Sequence, residues 1–193
     1  MDKLCQLHDD ALVVRYQKGS NEAFDTLLAR YKNRLYSYIF CIVRNADLAD
    51  DLFQETFVKA ILAMQQGRYT YSGKFYSWLT RIAHNVVFDQ FRAERNDRTI
   101  SNDESEVDLY SQAVVYEQSL EETMVSEQTL EEVRFLMNNL PANLREVVFM
   151  RFYQDMSFKE IAEVTGVSIN TALGRMRYAL INLRKMMGQR SVF

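Results

Sequence analysis

Apolar residues recur every three or four positions over most of this chain, the spacing that places them on one face of an α-helix. The first stretch of this kind predicts a short helix over 11–18 that stops at Gly19. The second predicts a long helix that is capped by Ser20 or Asn21 and runs to about Val43. The start of the chain is therefore expected to be helical.

Two further helices follow the same pattern. Asn45 is suited to cap the third, Gly67 is suited to end it, and the fourth is predicted over 74–94. The loop between them, residues 67–73, is rich in aromatic side chains and has a glycine at each end. With one proline and six glycines, the chain fits long helices joined by short turns better than a β-sandwich. The predicted fold class is all-α.

The C-terminal part carries a pattern with a more specific meaning. Pro141, the only proline, is well placed to start a helix. Ser157 and Glu160 have the spacing of a capping box, and Gly166 suits the left-handed turn that ends the capped helix. Ser168 can then cap another helix. This is the layout of a DNA-binding helix-turn-helix, and a plain helical hairpin with basic surface residues is the alternative.

The second helix of this motif begins with side chains suited to DNA. Ser168, Asn170 and Thr171 lie at its start, which is the end that enters a major groove. An asparagine can pair with adenine edges, and hydroxyls can reach bases or phosphates. Four cations of this helix can pair with phosphates, which supplies the salt-dependent part of the affinity: Arg175, Arg177, Arg184 and Lys185.

A second candidate surface lies on the fourth helix, where mixed side chains recur at helical spacing: Lys74, Trp78, Arg81 and Asn85. Cations can pair with phosphates and aromatic rings can stack on bases, so this face is suited to single-stranded nucleic acid. The same pattern also fits a solvated face with Trp78 packed at its margin. The sequence leaves both interpretations open.

Charge is distributed unevenly, although the net charge is only −3. Residues 1–98 carry +2, residues 99–133 carry −10 with no lysine or arginine, and residues 134–193 carry +5. The middle of the chain is expected to be an acidic, partly disordered linker over 96–128. The basic C-terminal part fits a nucleic-acid partner.

Several other classes of protein do not fit the sequence. No apolar run approaches the roughly 18 residues of a membrane span, and the N-terminus lacks the apolar core of a signal peptide, so a cytoplasmic protein without membrane insertion is expected. Cys5 and Cys41 fit no metal or disulfide spacing, and His8 and His84 have no ligand-spaced partners. Because a phosphate-binding glycine loop is also missing, we expect no metal site, no cofactor and no enzymatic activity.

Four segments, in order, give the chain a family resemblance. They are the stretch from Leu12 to Tyr31, Asp50-Asp51-Leu52-Phe53-Gln54-Glu55-Thr56-Phe57-Val58-Lys59, Phe75-Tyr76-Ser77-Trp78-Leu79-Thr80-Arg81-Ile82-Ala83-His84-Asn85, and Leu140-Pro141 with the helix-turn-helix. Together they resemble the extracytoplasmic-function (ECF) sigma factors of bacterial RNA polymerase over almost the whole chain. The resemblance implies two small helical domains, region 2 over 1–95 and region 4 over 129–193, joined by the acidic linker.

The resemblance implies a sigma factor that binds core RNA polymerase and directs promoter-specific initiation without catalysing a reaction. Region 2 would bind the clamp helices of the largest subunit and open and read the −10 element. Region 4 would read the −35 element, near the polymerase flap. The implied core-contact residues are Asp50, Asp51, Gln54 and Glu55. Those for the −10 element are Arg68, Tyr69, Tyr71, Lys74, Trp78, Arg81 and Asn85. Those for the −35 element are Ser168, Asn170, Thr171, Arg175 and Arg177.

Alternatives remain for several of these assignments. The core-contact residues also fit a solvated acidic face that helps to cap their helix. Leu173, Tyr178 and Leu180 stand where many ECF sigma factors carry basic residues, so we expect weak binding to the −35 duplex by this helix alone. The linker, which this family threads toward the RNA exit path, is either a mimic of nucleic acid or a solubilising spacer. An anti-sigma factor is a further partner that the family suggests, and a stand-alone helix-turn-helix regulator is the alternative function.

Overall fold

The protein is described by a computed structural model over residues 2–99 and 133–190, with side chains over 4–96 and 133–187. The chain forms two compact units, Met1–Ser105 and Glu106–Phe193, and each is described by itself. The prediction of an acidic linker falls largely on residues 100–132, which lie outside the described residues. All regular structure in the described part is helical, as the spacing of apolar residues predicts.

The N-terminal unit is a bundle of five helices within its described part: α1 (Asp2–Cys5), α2 (Asp9–Gln17), α3 (Asn21–Val43), α4 (Ala46–Gln65) and α5 (Phe75–Thr99). The helices α3, α4 and α5 pack against one another, and α2 lies on α3 and α4. Their fully buried side chains form one apolar core, which includes Leu12, Leu27, Leu35, Tyr38, Ile39, Met64 and Leu79.

The bounds of two helices differ from the prediction. Helix α2 begins at Asp9 rather than at residue 11, because Asp9 and Asp10 fill its first turn, where the helix dipole favours acids. Helix α5 continues to Thr99 instead of ending near residue 94. Within the predicted part of the helix, Arg92 donates to Asp89 at 2.6 Å and Gln90 donates to Glu94 at 3.0 Å, and both pairs have helical spacing. Residues 96–99, which the sequence-based prediction placed in the linker, are thus helical.

Helix ends in this unit follow local rules. The Asn45 side chain caps α4 by accepting a hydrogen bond from the Leu48 amide at 3.0 Å, as predicted. Ser20 occupies the N-cap position of α3, but its side chain makes no capping hydrogen bond. Helix α4 ends in a Schellman motif, in which Gly67 adopts a φ of 68° and the Arg68 amide donates back to the Ala63 carbonyl at 2.9 Å.

The C-terminal unit contains helical residues 133–138, followed by α6 (Ala142–Phe152), α7 (Phe158–Thr165) and α8 (Ile169–Arg190). Pro141 is the N-cap of α6 with a φ of −51°, which matches its predicted role in starting that helix. The capping box is present, because the Ser157 amide donates to the Glu160 carboxylate at 3.0 Å and the Glu160 amide donates to Ser157 Oγ at 3.3 Å.

The turn between α7 and α8 has the geometry of a helix-turn-helix. Gly166 ends α7 with a left-handed φ of 67°, and the Val167 amide donates back to the Ala162 carbonyl at 3.1 Å. The two helices pack on each other and on α6. Ala172 and Ala179 are fully buried, so small side chains let α8 approach its neighbours closely.

The turn gives a stability prediction. Replacing Gly166 with alanine should lower the free energy of unfolding by about 1–2 kcal/mol, because a left-handed backbone brings a β-carbon against a carbonyl oxygen. The matched variant Gly174→Ala lies in α8, where an added β-carbon meets nothing within 4 Å. It should raise stability by roughly 0.5–1 kcal/mol. Urea unfolding of the full chain measures both, and changes of the same sign would contradict the assignment.

Candidate functional site

One face of α4 is exposed along the length of the helix. Asp50, Asp51, Gln54 and Glu55, the residues predicted to contact core polymerase, are all exposed there. The opposite face is buried through residues that include Leu52, Phe57, Ala60 and Met64. Glu55 pairs with Lys59 at 2.7 Å, and both side chains are about half exposed. This pair is worth little to stability in water, so the acids remain available to a partner.

The same face continues with two apolar residues that the sequence-based prediction missed. Val58 and Leu62 are 55% and 48% exposed. With Asp51 and Glu55 they recur at spacings of four, three and four residues, which aligns them along one stripe of the helix. That spacing was the signal that could have identified them. The stripe is acidic at its N-terminal end and apolar at its C-terminal end.

The loop after α4, residues 67–73, contains three of the residues predicted to bind the −10 element. These three residues differ in their exposure to solvent. Arg68 and Tyr71 are exposed, whereas Tyr69 is only 3% exposed. The Tyr69 ring packs edge-on against Tyr71 and Trp78, with ring centroids 5.5 Å and 4.9 Å apart. Tyr69 therefore lies beneath the exposed aromatic residues, and its own ring face is covered.

The loop is tied to α2 by side chains that the sequence did not single out. The Tyr69 hydroxyl donates to Asp10 Oδ1, and the Gly73 amide donates to Asp10 Oδ2 at 3.0 Å. The Tyr71 hydroxyl donates to Gln17 Oε1. These bonds join positions more than fifty residues apart, so no local pattern could reveal them.

Two tyrosine hydroxyls in this region keep their protons over a wide pH range. Burial raises the pKa of Tyr69 well above its usual value, and the hydrogen bond to Asp10 raises it further. Burial also raises the pKa of Tyr31 to about 12, together with the hydrogen bond to Asp9 and the charge of that residue. Both phenols donate hydrogen bonds to acids of α2, Tyr31 to Asp9 and Tyr69 to Asp10, and these bonds help to hold α2 against the rest of the unit.

The first turns of α5 lie next to this loop. Lys74, Arg81 and Asn85 are exposed, and they share a helical face with Trp78. Trp78 is partly buried, since its ring contacts Phe75 at 5.5 Å between centroids as well as Tyr69. The structure thus places Trp78 at the edge of the core with part of its surface accessible. The loop and α5 together form a surface of cations, an amide and aromatic side chains.

In the helix-turn-helix, the predicted DNA contacts lie at the start of α8. Ser168, Asn170, Thr171 and Arg177 are exposed, and Arg175 is half-buried. Ser168 Oγ accepts from the Thr171 amide at 3.1 Å, so it caps the helix, and it lies 2.8 Å from Thr171 Oγ1. Exposed apolar side chains share this region, among them Ile169 at 46% and Leu173 at 43%.

Within residues 2–99 and 133–190, no group of three or more histidine, cysteine, aspartate or glutamate side chains could hold a metal ion. None of the described helices combines the length and the apolar character needed to cross a bilayer.

Comparison with known proteins decides the family. The family models described as sigma-70 region 2 and sigma-70 region 4 match residues 27–97 and 130–178. The RNA polymerase sigma-H factor of Pseudomonas aeruginosa is 30% identical over 176 residues, which cover 90% of each chain. The ECF RNA polymerase sigma-E factor of Haemophilus influenzae is 31% identical over 176 residues, covering 89% of this chain and 90% of the relative. This chain belongs to the ECF sigma factor family.

Solved structures show the same fold. The sigma factor RpoE of Bartonella quintana, in complex with the anti-sigma factor NepR, has a TM-score of 0.69 at 22% identity, over 86% of this chain and 96% of that one. CnrH, in complex with the cytosolic domain of CnrY, has a TM-score of 0.64 at 23% identity, over 95% and 99% of the two chains.

Family membership confirms the predicted function. The protein is a sigma factor that binds core RNA polymerase and directs promoter-specific transcription initiation. The alternative of a stand-alone helix-turn-helix regulator is not favoured. The curated relatives are sigma factors and not enzymes. The roles of individual residues stay predictions, and the exposed surfaces described above supply the geometry on which they rest.

The raised pKa of Tyr31 gives a prediction for stability against pH. A raised pKa stabilises the fold below the usual tyrosine pKa of about 10. That contribution is lost as the pH rises toward the folded pKa of about 12. Tyr31→Phe should therefore flatten the fall in the free energy of unfolding over this window. The control Tyr178→Phe alters an exposed side chain and should keep the wild-type profile. Urea unfolding at a series of pH values distinguishes the two, and identical profiles for Tyr31→Phe and the wild type would refute the assignment.

Proposed function

We propose that the exposed face of α4 is the surface with which this sigma factor binds the clamp helices of the largest polymerase subunit. Its acidic end would supply Asp50, Asp51, Gln54 and Glu55, as expected from the sequence. Val58 and Leu62 would add the apolar contacts. Supporting this assignment, protein interfaces combine a desolvated apolar centre with a polar rim, and these exposed residues offer both on one helix.

The second part of the proposal concerns opened promoter DNA. The surface formed by the loop and α5 would bind the single strand of the −10 element. Arg68, Lys74 and Arg81 would pair with phosphates, Tyr71 and Trp78 would stack on bases, and Asn85 would hydrogen-bond a base edge. Tyr69 was expected among the base contacts. Because its ring is buried, we propose instead that it supports Tyr71 and Trp78 from beneath.

The third part concerns the −35 duplex, which α8 would read through Ser168, Asn170, Thr171, Arg175 and Arg177. Asn170 is suited to an adenine edge and the arginines to phosphates. The exposed side chains of Ile169 and Leu173 are suited to thymine methyl groups, a contact that needs no charge. This helix would therefore rely more on apolar contact than a strongly cationic recognition helix does.

The remaining partners follow from the relatives. The Bartonella sigma factor is bound by an anti-sigma factor, and we propose that a protein of this class also controls the present chain. We further propose contact between region 4 and the polymerase flap, and a cytoplasmic location, where the polymerase acts.

The observation that carries the proposal most directly is the exposed stripe of α4, and reconstitution with core polymerase tests it. We expect the full chain to bind core enzyme and to support run-off transcription from promoters selected out of randomised DNA. Val58→Ala should weaken core binding about fivefold, as loss of a hot-spot side chain at an interface centre does. Glu55→Lys should also weaken it, because it places a cation where the proposed surface has an acid. The fluorescence anisotropy of labelled sigma factor titrated with core measures the affinity.

Asp25→Lys is the control for charge reversal, because Asp25 is an exposed acid on α3. It should bind core with wild-type affinity. Loss of affinity in Asp25→Lys equal to that in Glu55→Lys would reject the α4 surface. Failure of the wild-type chain to bind core at all would reject the proposal as a whole.

The apolar character of α8 gives a further prediction. Leu173→Lys should make binding of holoenzyme to promoter duplex more dependent on salt, because it adds one cation at an exposed position while it removes the apolar contact of Leu173. The slope of the logarithm of the binding constant against the logarithm of salt concentration should steepen by about 0.9 for one added phosphate contact. Leu173→Gln, which is polar but uncharged, should leave the slope unchanged. An unchanged slope in Leu173→Lys would place this position away from the DNA backbone.

A further inference from the structure

Helix α2 holds the loop of residues 67–73 at two points. Asp10 binds the Tyr69 hydroxyl and the Gly73 amide, and Gln17 binds the Tyr71 hydroxyl. Asp10 and Gln17 are seven residues apart, which is two helical turns, so both point from the same side of α2. Their positions are separated by roughly 10 Å along the helix axis. Helix α2 therefore restrains the loop at two positions along its length.

Helix α2 also forms a hydrogen bond with the end of α4. The Gln17 side chain uses its amide nitrogen to donate to the Met64 carbonyl at 2.7 Å, while its amide oxygen accepts from Tyr71. One residue thus ties the last turn of α4 to the loop that follows it. The loop is fixed relative to both helices, and not only to its own neighbours in sequence.

These hydrogen bonds matter because the backbone of the loop could otherwise adopt many conformations. Gly67 and Gly73 both adopt left-handed backbone conformations, with φ values of 68° and 71°. Glycine reaches many other conformations, so a loop with one at each end has much conformational entropy to lose. The two oxygens of Asp10 accept from a side chain near one end of the loop and from the backbone at the other. The Asp10 carboxylate therefore links residues near the two ends of the loop.

The attachment of α2 to the bundle does not rest on Asp10 alone. The Asp9 carboxylate accepts from Arg30 and from the Tyr31 hydroxyl, both on α3. Leu12 and Val13 are fully buried. Loss of the Asp10 carboxylate should therefore release the loop while α2 stays in place, which makes its effect on the loop separable from its effect on the fold.

We propose that Asp10 is a positioning residue for promoter recognition, and that it acts by holding the loop in the conformation that binds the opened −10 strand. In this proposal the Asp10 carboxylate does not bind DNA itself, because both of its oxygens accept hydrogen bonds from the loop. It places the Tyr69 ring, on which Tyr71 and Trp78 pack. This inference rests on the proposed contact between the loop and single-stranded DNA.

The test uses holoenzyme made with wild-type sigma factor, Asp10→Ala, Asp10→Asn or Tyr69→Phe. The probe is the labelled non-template strand of a promoter selected with the wild-type holoenzyme. If the binding-competent loop falls to a tenth of its population, affinity for the strand falls about tenfold. We expect this loss in Asp10→Ala and a smaller one in Asp10→Asn, which keeps one acceptor. Affinity for core polymerase should not change.

Two further readouts separate positioning from general stability. Hydrogen exchange of the Gly73 amide in the full chain should accelerate in Asp10→Ala. The double variant Asp10→Ala/Tyr69→Phe should bind the strand no more weakly than Asp10→Ala, because both changes remove the same hydrogen bond. Additive losses would overturn the proposal.

Asp9→Asn is the matched control, since it removes the neighbouring charge, whose partners lie on α3. It should lower the thermal stability but keep Gly73 protection and strand affinity. An equal loss of strand affinity in Asp9→Asn and Asp10→Ala would overturn the proposal, and so would wild-type affinity in Asp10→Ala.

Arg68→Ala and Tyr71→Ala distinguish this inference from the proposed function beneath it. If neither weakens binding of the strand, the loop does not contact DNA and the proposed function of this surface fails. If both weaken it while Asp10→Ala does not, the loop binds DNA and only the positioning role of Asp10 fails.

Discussion

The burial of one face of α4 is the constraint on which the N-terminal unit depends. Leu52, Phe57, Ala60 and Met64 pack this helix between α3 and α5, which fixes its rotation about its own axis. Because that rotation is fixed, the acids and the exposed Val58 and Leu62 face away from the core. The same packing sets where the helix stops and hence where the loop begins. Two proposed surfaces, one for polymerase and one for opened DNA, thus follow from a single apolar stripe.

Much of this fold could be predicted from sequence because it is determined locally. Helical spacing, the Asn45 cap, the capping box at Ser157 and the turn at Gly166 each involve residues within five positions of one another. Local rules also set the limit of the prediction. The extension of α5 to Thr99 lies beyond the apolar pattern, which places the end of the helix near residue 94.

The candidate site was harder to predict because its key contacts are distant in sequence. Tyr69 was expected to be a base contact on account of its residue type and its place in an aromatic loop. Its burial results from packing with Trp78 and bonding to Asp10, which is 59 positions away. A pattern along the chain shows which side chains are available, whereas only the packed structure shows which of them reach the surface.

The exposed uncharged residues of α8 bear on how much each unit contributes to promoter recognition. Arg175 and Arg177 supply cations for phosphates, but the exposed Leu173 and Tyr178 supply none, so we expect duplex binding by this helix alone to be weak. When one polymerase holds both units, binding of either DNA element raises the effective concentration of the other unit at its own site. Helix α8 would then bind the −35 duplex tightly only when the sigma factor is bound to polymerase at a promoter that contains both elements. Weak binding by the isolated helix would therefore favour specificity, since the free sigma factor would not be retained on other DNA.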